Sequence, residues 1–512
     1  MSADATRWSE RLTAAGSDTI RPAAAGMLDV VERCAVSPVM IGRADQLAAL
    51  DEAFAASTAG QPAAVLVGGE VGIGKSRLVE EFADRVTGRG GTVLSGGCLE
   101  LGASGLPFAP FTAVLRQLVR KPGAGGVGDL LAGQPTTELA RLLPELGQPL
   151  SVEKAEYNGE ARGRLFEQVL VLLEKLTAPG PVVLIIEDAH WADGSTRDLL
   201  TFLIRNQGVL SGLLIVVTFR SDELHRTHPL RPLLAGFGRI SWVERLELPR
   251  LSRHEAAQQI VAILTGVPDP GRVDRVYKRS EGNPLFIEQL LWSGGELPES
   301  LDDLVLANVQ RLPQETTEVL RAASVSRAMV GDALLAEVSG LAEDDLVRTL
   351  RPAVAGNVVV ADSDGYQFRH AMIAEVLHDD LLPDEHSRLH ARYAEAIAGN
   401  AGLVPPGRAA IEVAHHWYWA HDVACALVSA WQAAAVAGRA LAYAEQLAML
   451  SRVLELWEKV PGAAERIGSD HVTVLEEAAS ITQLTGDDAR GKAFASAALD
   501  ELDVDADASP TG

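Results

Sequence analysis

Short apolar runs alternate with helical patterns over the first part of the chain. Between residues 39 and 250, runs of consecutive apolar residues are bounded by Gly, Asp or Thr and separated by segments with helical periodicity. The clearest runs are residues 63–67, 93–94, 182–186 and 213–217. Runs without a polar alternate face are typical of strands buried on both sides, and helices between them indicate parallel βαβ units. The pattern predicts an α/β domain over residues 39–250.

Amphipathic helices dominate after residue 250. Residues 251–300 carry helical periodicity, which predicts a helical lid subdomain. Within residues 301–398, two β-like runs flank the turn Asp362–Gly365 after several helices, and this combination predicts a winged helix. Residues 399–502 are Ala-rich and helical with short breaks, which predicts a helical-repeat region of the tetratricopeptide type.

The two ends of the chain lack the composition of a packed core. Residues 1–38 mix Ala, Thr and charged residues up to Pro38, so we expect a loosely ordered leader. Residues 503–512 are acidic and poor in apolar residues, which predicts a disordered tail.

The sharpest motif follows the first apolar run. Residues 69–76 satisfy the pattern GxxxxGK[ST] and precede a helical pattern. In such a Walker A loop the backbone N–H groups surround phosphate, Lys75 reaches the β and γ oxygens, and Ser76 coordinates Mg²⁺. The candidate nucleotide-binding residues are Gly69, Glu70, Val71, Gly72, Ile73, Gly74, Lys75, Ser76 and Arg77. A dinucleotide fingerprint is excluded because Arg77 stands where its third Gly is needed.

Carboxylates follow the apolar run 182–186. Glu187 and Asp188 stand at the predicted carboxyl end of a buried strand, where one acid can hold the Mg²⁺ shell and the other can polarise an attacking water. This is a Walker B pattern. The order Glu-Asp reverses the commoner Asp-Glu, so the pattern leaves open which of the two meets the metal.

The apolar run 213–217 is followed by a positively charged residue. The run 213–217 continues into Thr218, Phe219 and Arg220, and a fixed guanidinium at this place could contact the γ-phosphate and report its loss. The alternative is a surface arginine, because the stretch from Arg220 to Arg253 is rich in arginine.

The composition of the chain argues against several classes of binding partner and site. The 512 residues carry 45 Lys and Arg against 69 Asp and Glu, a net charge of −24 that repels phosphate backbones and anionic lipid. We therefore expect no DNA-binding surface and no membrane contact. The three cysteines are isolated, which fits a reducing cytoplasm and excludes a disulfide framework. His415, His416 and His421 are expected to pack structurally, because no acid or Cys completes a metal site with them.

Together these motifs resemble the ATPase core of STAND-class signalling ATPases, specifically the N-terminal part of large ATP-binding regulators of the LuxR type. The resemblance covers residues 39 to about 398. The matching segments are Ile41-Gly42-Arg43, GEVGIGKSRL (69–78), LIIEDAHWAD (184–193), VVTFRSDE (216–223), residues 281–290 and residues 368–376. Gln46 departs from the usual acid of the first motif, and no basic helix-turn-helix segment precedes Gly512.

The resemblance implies an AAA-like nucleotide domain, a helical subdomain, a winged helix and a helical sensor arm that switch between ADP-held and ATP-bound states. It places Ile41, Gly42 and Arg43 near adenine, Pro284 on the adenine side, and His370 near bound ADP. His370 is equally well explained as a histidine of the core or of a helix start.

The leading expectation is a cytoplasmic ATP·Mg²⁺ switch that hydrolyses ATP slowly, self-associates in the ATP state and receives a protein or small-molecule signal through its helical arm. It would form part of a transcriptional regulator. Two alternatives stay open. One is an ATPase motor or loader of the origin-recognition type, which the net charge disfavours. The other is a nucleotide-stabilised scaffold that binds protein without releasing phosphate.

Overall fold

The computed structural model describes residues 36–99, 105–120, 138–146, 159–264, 268–292, 300–326, 329–362 and 364–508. The predicted leader lies outside these ranges except for its last three residues. Residues 509–512 of the predicted tail also lie outside them.

A five-stranded parallel sheet forms the centre of the α/β region. Its strands are β1 (Ala63–Gly69), β2 (Thr92–Gly97), β3 (Val182–Glu187), β4 (Leu213–Arg220) and β5 (Val243–Glu247). Their spatial order is β2-β3-β4-β1-β5, and each neighbouring pair runs parallel. All carboxyl ends therefore meet at one edge of the sheet. The predicted fold class, a P-loop NTPase sheet followed by a mostly helical region, is confirmed.

Burial explains why these segments become strands. Every residue of β1 and β4 is buried, as is all of β3 up to Ile186. Each of these strands pairs on both edges and is covered on both faces, so a continuous aliphatic run fits it. Burying one such side chain contributes about 1.5–3 kcal/mol. β5 differs because it pairs with β1 alone and keeps every one of its residues partly or fully exposed.

Helices separate the strands along the chain. They are α1 (Ala44–Thr58), α2 (Lys75–Gly88), α3 (Ala109–Arg120), α4 (Leu139–Leu142), α5 (Gly159–Thr177), α6 (Gly194–Asn206) and α7 (Leu230–Phe237). α6 begins after a short turn that follows β3, and Asp193 caps it by accepting a hydrogen bond from the Thr196 amide at 2.8 Å. A carboxylate at this position also stabilises the positive end of the helix dipole.

The described chain divides into two compact units. The sheet unit comprises the described residues within 43–70, 75–248 and 393–508. The helical unit comprises residues 36–42 and 71–74 and the described residues within 249–392. The middle of the Walker A turn is thus grouped with the helical unit. The domain boundaries predicted at residues 250, 300 and 398 stay predictions.

The helical unit contains a series of helices interrupted by one hairpin. The elements are α8 (Arg253–Leu264), α9 (Pro270–Ser280), α10 (Pro284–Trp292), α11 (Leu301–Val309), α12 (Gln314–Ser324), α13 (Asp332–Ser339), α14 (Glu343–Ala355), β6 (Val359–Asp362), β7 (Gly365–Phe368), α15 (Ala371–Asp379) and the first part of α16 (Pro383–Gly399). β6 and β7 pair antiparallel where the sequence predicts a hairpin. Buried Leu251, Ile260, Ile287 and Leu290 belong to one apolar cluster of this unit.

Gly282 connects two segments of the helical unit through a close backbone contact. Its φ is +81°, its carbonyl accepts a hydrogen bond from the Leu251 amide at 2.8 Å, and an added Cβ would lie 2.1 Å from the Leu251 carbonyl oxygen. Gly282→Ala is therefore expected to lower the free energy of unfolding of this unit by about 2–4 kcal/mol.

Chemical denaturation of Gly282→Ala beside Gly236→Ala checks this expectation. Gly236 lies in α7, and a Cβ there meets no heavy atom within 4 Å, so its replacement by Ala should be neutral or stabilising. Equal stability of the two variants would contradict the steric argument.

The arm, defined here as residues 409–508, belongs to the sheet unit. Its helices are α17 (Ala409–Trp419), α18 (Val423–Arg439), α19 (Tyr443–Trp457), α20 (Ala463–Ile467), α21 (His471–Thr485) and α22 (Asp488–Ala508). Leu203 of α6 and Leu450 of α19 belong to the same buried cluster, so sheet and arm share a core. α22 runs past the predicted helix end at Leu502, since extending a helix needs no new nucleus. Among the described residues, no helix is both long and apolar enough to span a bilayer.

Candidate nucleotide-binding site

A glycine-rich turn connects β1 to α2 at the carboxyl edge of the sheet. Gly72 and Gly74 have φ values of +72° and +98°, which L side chains rarely adopt. A Cβ added at Gly74 would meet no heavy atom within 4 Å, so this stretch of backbone borders open space. A turn of this kind before a helix N-terminus presents amide groups to anions.

The middle of the turn is held within the helical unit. Asn283 donates its side-chain amide to the Val71 carbonyl at 2.9 Å, and the Leu285 amide donates to the Gly72 carbonyl at 3.2 Å. A Cβ at Gly72 would lie 2.7 Å from Leu285 Cβ. The segment around Pro284 therefore fixes this part of the turn through its neighbours Asn283 and Leu285.

Lys75 begins α2 and is almost fully buried, with 8% of its surface exposed. Its Nζ donates to the carbonyl oxygens of Gly69 and Glu70, each at 2.8 Å. The pKa of Lys75 is lowered to about 8: burial lowers it most, the charge of Asp188 raises it, and the charge of Arg220 lowers it. Burial destabilises the charged form of this ammonium, and an anion bound beside it would stabilise that form strongly.

Glu187 and Asp188 follow β3 as the sequence predicts. Burial raises the pKa of Glu187, and the charge of Asp188 raises it further, whereas hydrogen bonds from Ser95 and Ser76 lower it. The Ser95 hydroxyl donates to Glu187 at 3.2 Å. Asp188 has a left-handed backbone, with φ of +53°, and its amide donates to the Thr218 hydroxyl at 3.0 Å. The two carboxylates thus occupy different environments.

Arg220 ends β4 and is buried, with 4% of its surface exposed. Its guanidinium lies 4.8 Å from the centre of the Trp191 ring and forms an ion pair with Glu223. The Arg220 amide donates to His190 Nδ1 at 3.4 Å. Burial lowers the pKa of His190, and the charges of Arg220 and Lys75 lower it further, so this imidazole is neutral at physiological pH. These contacts differ from those of a surface arginine.

A buried acid of the arm contacts the helix that follows the Walker B segment. Glu445 of α19 accepts a hydrogen bond from the Ser195 amide at 3.2 Å and is also hydrogen-bonded to the Ser195 hydroxyl. The pKa of Glu445 is raised to about 8, first by burial and then by the charge of Asp193, whereas its hydrogen bonds with Ser195 lower it. The pKa of Asp193 is also raised by burial. Ser195 lies in the first turn of α6, only a few residues after the Walker B acids.

Residues of the Walker A turn and the acid after β3 offer groups that fit a phosphate chain and Mg²⁺. The open backbone at Gly74 and the buried ammonium of Lys75 suit an anion. The Ser76 hydroxyl and the Glu187 carboxylate, which are hydrogen-bonded to one another, offer the hard oxygen ligands that Mg²⁺ prefers. Asp188 and Arg220 lie close enough to Lys75 for their charges to affect its pKa.

The remaining sequence candidates fall in both units. Arg43 lies in the sheet unit, buried at the N-terminus of α1. Ile41 and Gly42 lie in the helical unit, where a Cβ at Gly42 would come within 3.0 Å of Leu251. Pro284 begins α10 and accepts a hydrogen bond from Gln259 at 3.1 Å. His370 lies before α15 with its Nε2 3.8 Å from Glu288.

Several residues of the site were missed by sequence reasoning. Trp191 and Glu223 fix Arg220, Thr218 and Ser95 contact the acid pair, and Glu445 comes from the distant arm. Thr218 had a readable signal, because it is polar at the end of a buried strand. The others depend on contacts between segments that no local pattern links.

Comparisons with known proteins agree with this geometry. Residues 39–217 match a family model described as an AAA ATPase domain. The chain therefore carries an AAA-type P-loop ATPase domain, in which ATP binding is expected. A curated protein of Rhizobium meliloti (strain 1021), described as uncharacterized, is 27% identical over 410 residues, which cover 71% of this chain and 37% of that protein. The chain thus spans little more than a third of the length of that relative.

Solved structures show distant similarity. A STAND protein with a tetratricopeptide repeat sensor from Pyrococcus horikoshii aligns over 92% of this chain and 78% of its own, at a TM-score of 0.45 and 15% identity. The Aeropyrum pernix ORC1 protein in complex with DNA aligns over 69% of this chain and 95% of its own, at a TM-score of 0.31 and 17% identity. A single-residue variant of RuvB from Thermotoga maritima aligns over 64% of this chain and 92% of its own, at a TM-score of 0.27 and 18% identity.

Proposed function

We propose that the chain is an ATP-dependent signalling switch of the STAND class that hydrolyses ATP slowly. One observation carries the proposal: a buried Lys75 rests on two carbonyl oxygens beside the open backbone of the Walker A turn, with its pKa lowered to about 8. A phosphate oxygen is a better partner for this ammonium than the carbonyls, because it brings a full negative charge into a poorly solvated place.

The chain's own groups then have distinct roles. Lys75 and the turn amides bind the β and γ oxygens, and Ser76 with Glu187 or Asp188 holds the metal. The other acid orients and polarises a water. When bound, Mg²⁺·ATP supplies a reactive phosphoanhydride bond and neutralises the charge that develops on it. The raised pKa of Glu187 suits a proton acceptor, and the left-handed backbone of Asp188 points to a positioning role.

Arg220 is proposed as the γ-phosphate sensor. In the structure it is paired with Glu223 and stacked on Trp191. Exchange of Glu223 for a phosphate oxygen would release that carboxylate while Trp191 keeps the guanidinium oriented. Two alternative partners for one buried cation make a two-state element, which is what a switch needs.

The finer assignments rest on the matching motifs. We propose that Ile41, Gly42, Arg43 and Pro284 lie near adenine, that His370 contacts bound ADP, and that residues 301–398 form a winged helix. We further propose that the chain belongs to a cytoplasmic transcriptional regulator of the LuxR type, that it self-associates in the ATP state, and that its arm receives a protein or small-molecule signal. The net charge of −24 speaks against a motor or loader that tracks DNA.

One experiment tests the switch. The purified chain is denatured to identify any retained nucleotide, and its size is recorded by light scattering with ADP and with a slowly hydrolysed ATP analogue. We expect retained ADP and a size increase with the analogue only. Arg220→Ala should keep nucleotide but lose the size difference, whereas Arg348→Ala, at an exposed arginine of α14, should behave as wild type. An empty site with rapid turnover and no size change would favour the motor, and tight retention without phosphate release would favour a scaffold.

A further inference from the structure

Three histidines meet where α15 turns into α16. His378 lies in the last turn of α15, and His386 and His390 lie one turn apart on α16. The spacing of four residues places the latter two on one face of the helix. The ring centres of His386 and His390 are 4.4 Å apart, and those of His378 and His386 are 4.8 Å apart. All three residues belong to the helical unit.

The three rings present their nitrogens to a common point. One ring nitrogen from each histidine lies within 4.8 Å of the other two. Tetrahedral zinc with Zn–N bonds of about 2.0–2.1 Å needs nitrogens about 3.4 Å apart. Small side-chain rotations can close this difference, because His378 and His386 are only partly buried.

Burial and charge around the cluster favour a cation. His390 is 1% exposed and forms the floor, whereas 15% of the His378 side chain is exposed, which leaves a route from solvent. His378 Nδ1 lies 3.5 Å from an Asp379 oxygen, the kind of carboxylate contact that orients a metal-binding imidazole. The pKa of nearby Asp302 is raised by burial and then by the charges of Asp303, Asp379 and Glu375.

We propose that His378, His386 and His390 form a binding site for a divalent transition metal of the zinc class. Imidazole nitrogens select Zn²⁺, Cu²⁺ and Ni²⁺ over Mg²⁺ and Ca²⁺, which prefer oxygen ligands. Three protein ligands with a solvent route leave a fourth position for water or for an exogenous ligand. A bound ion would join the end of α15 to the start of α16 across the intervening turn.

The test is a Zn²⁺ titration of the full chain, prepared without a polyhistidine tag and stripped with a chelator, followed by calorimetry. Co²⁺ serves as a second probe, because tetrahedral coordination by nitrogen produces visible absorption. We expect one high-affinity ion per chain that excess Mg²⁺ does not displace. Binding should weaken at acidic pH, where imidazoles take up protons.

Variants locate the ion. His386→Gln and His378→Gln should each weaken Zn²⁺ binding at least about tenfold. Loss of a residue that only hydrogen-bonds a metal ligand already weakens binding by about this factor, and loss of a ligand should cost no less. His254→Gln removes an exposed histidine of α8 and should bind as wild type. Lys75→Ala should also bind Zn²⁺ normally, which separates this site from the nucleotide site. Absence of micromolar Zn²⁺ binding, or wild-type affinity in both triad variants, would overturn the proposal.

Discussion

Lys75→Ala is expected to weaken ATP binding by roughly 100-fold or more, about 3 kcal/mol, while the chain stays folded. The ammonium lies at the end of the Walker A turn, poorly solvated and held by the carbonyl oxygens of Gly69 and Glu70. Its charge-assisted contact with phosphate would therefore form in a medium that screens it little. The fold should tolerate the change, because removing the ammonium also removes its desolvation cost.

Calorimetry with ATP and Mg²⁺ measures this loss, and circular dichroism checks the fold. Lys459→Ala is the matched control, because Lys459 is exposed, follows α19 and pairs only at the surface with Glu455. It should bind ATP as wild type does. ATP affinity within a few-fold of wild type in a folded Lys75→Ala chain would contradict the nucleotide assignment itself.

The interior strands were predictable because strands that are buried on both faces consist of consecutive apolar residues, which can be recognised in the sequence. Ile185 and Val216 lie in runs without polar residues, which only a strand covered on both faces accommodates. β5 was not predicted, since Val243–Glu247 lies at a sheet edge and carries only the apolar residues Val243 and Leu246 among charged ones. Its pairing with β1 relies on backbone hydrogen bonds, which carry no signature in side-chain type.

The nucleotide site was predictable where one segment carries the chemistry. Lys75 and Ser76 lie at the end of the turn that joins β1 to α2, so one continuous sequence motif predicts the strand, the turn and the helix. Glu223 and Trp191 could not be assigned, because their role appears only when β3 and β4 lie side by side. The histidine triad shows the same limit: the pair on α16 is a local pattern, and the third ligand comes from a separate helix.

Glu445 had a sequence signal that was not used. It stands among apolar residues on a helix whose neighbours Leu447, Met449 and Leu450 are buried. An acid on such a face is either a partner in a polar contact or a source of instability. Its partner lies in the first turn of α6, 250 residues earlier in the sequence, and this contact appears only in the folded structure.

The second large effect concerns pH and the junction of arm and sheet. Glu445 is fully buried against Ser195, and its pKa is raised to about 8 from an ordinary 4.5. The unfolded chain loses this proton near the ordinary value, whereas the folded chain keeps it up to about pH 8. Between these limits the folded state binds more protons, so stability falls as the pH rises, by about 1 kcal/mol per pH unit. Asp193, with its pKa also raised by burial, acts in the same direction.

Glu445→Gln should remove most of this dependence. The neutral amide keeps an oxygen that can accept from the Ser195 amide, so the variant should equal wild type near pH ~5 and exceed its stability near pH ~8. Hydrogen exchange of the α6 and α19 amides across this range is the suitable measurement, because it reports local opening in a chain built from more than one unit.

Glu455→Gln provides the control on the same helix, since Glu455 is half exposed and its surface pair with Lys459 contributes little. Its protection should follow the wild-type pH profile. If wild type and Glu445→Gln lose protection in parallel as the pH rises, the buried carboxyl is not the titrating group. If only Glu445→Gln stays protected, the protonation of one arm residue controls how firmly the arm holds the helix that begins just after the Walker B acids.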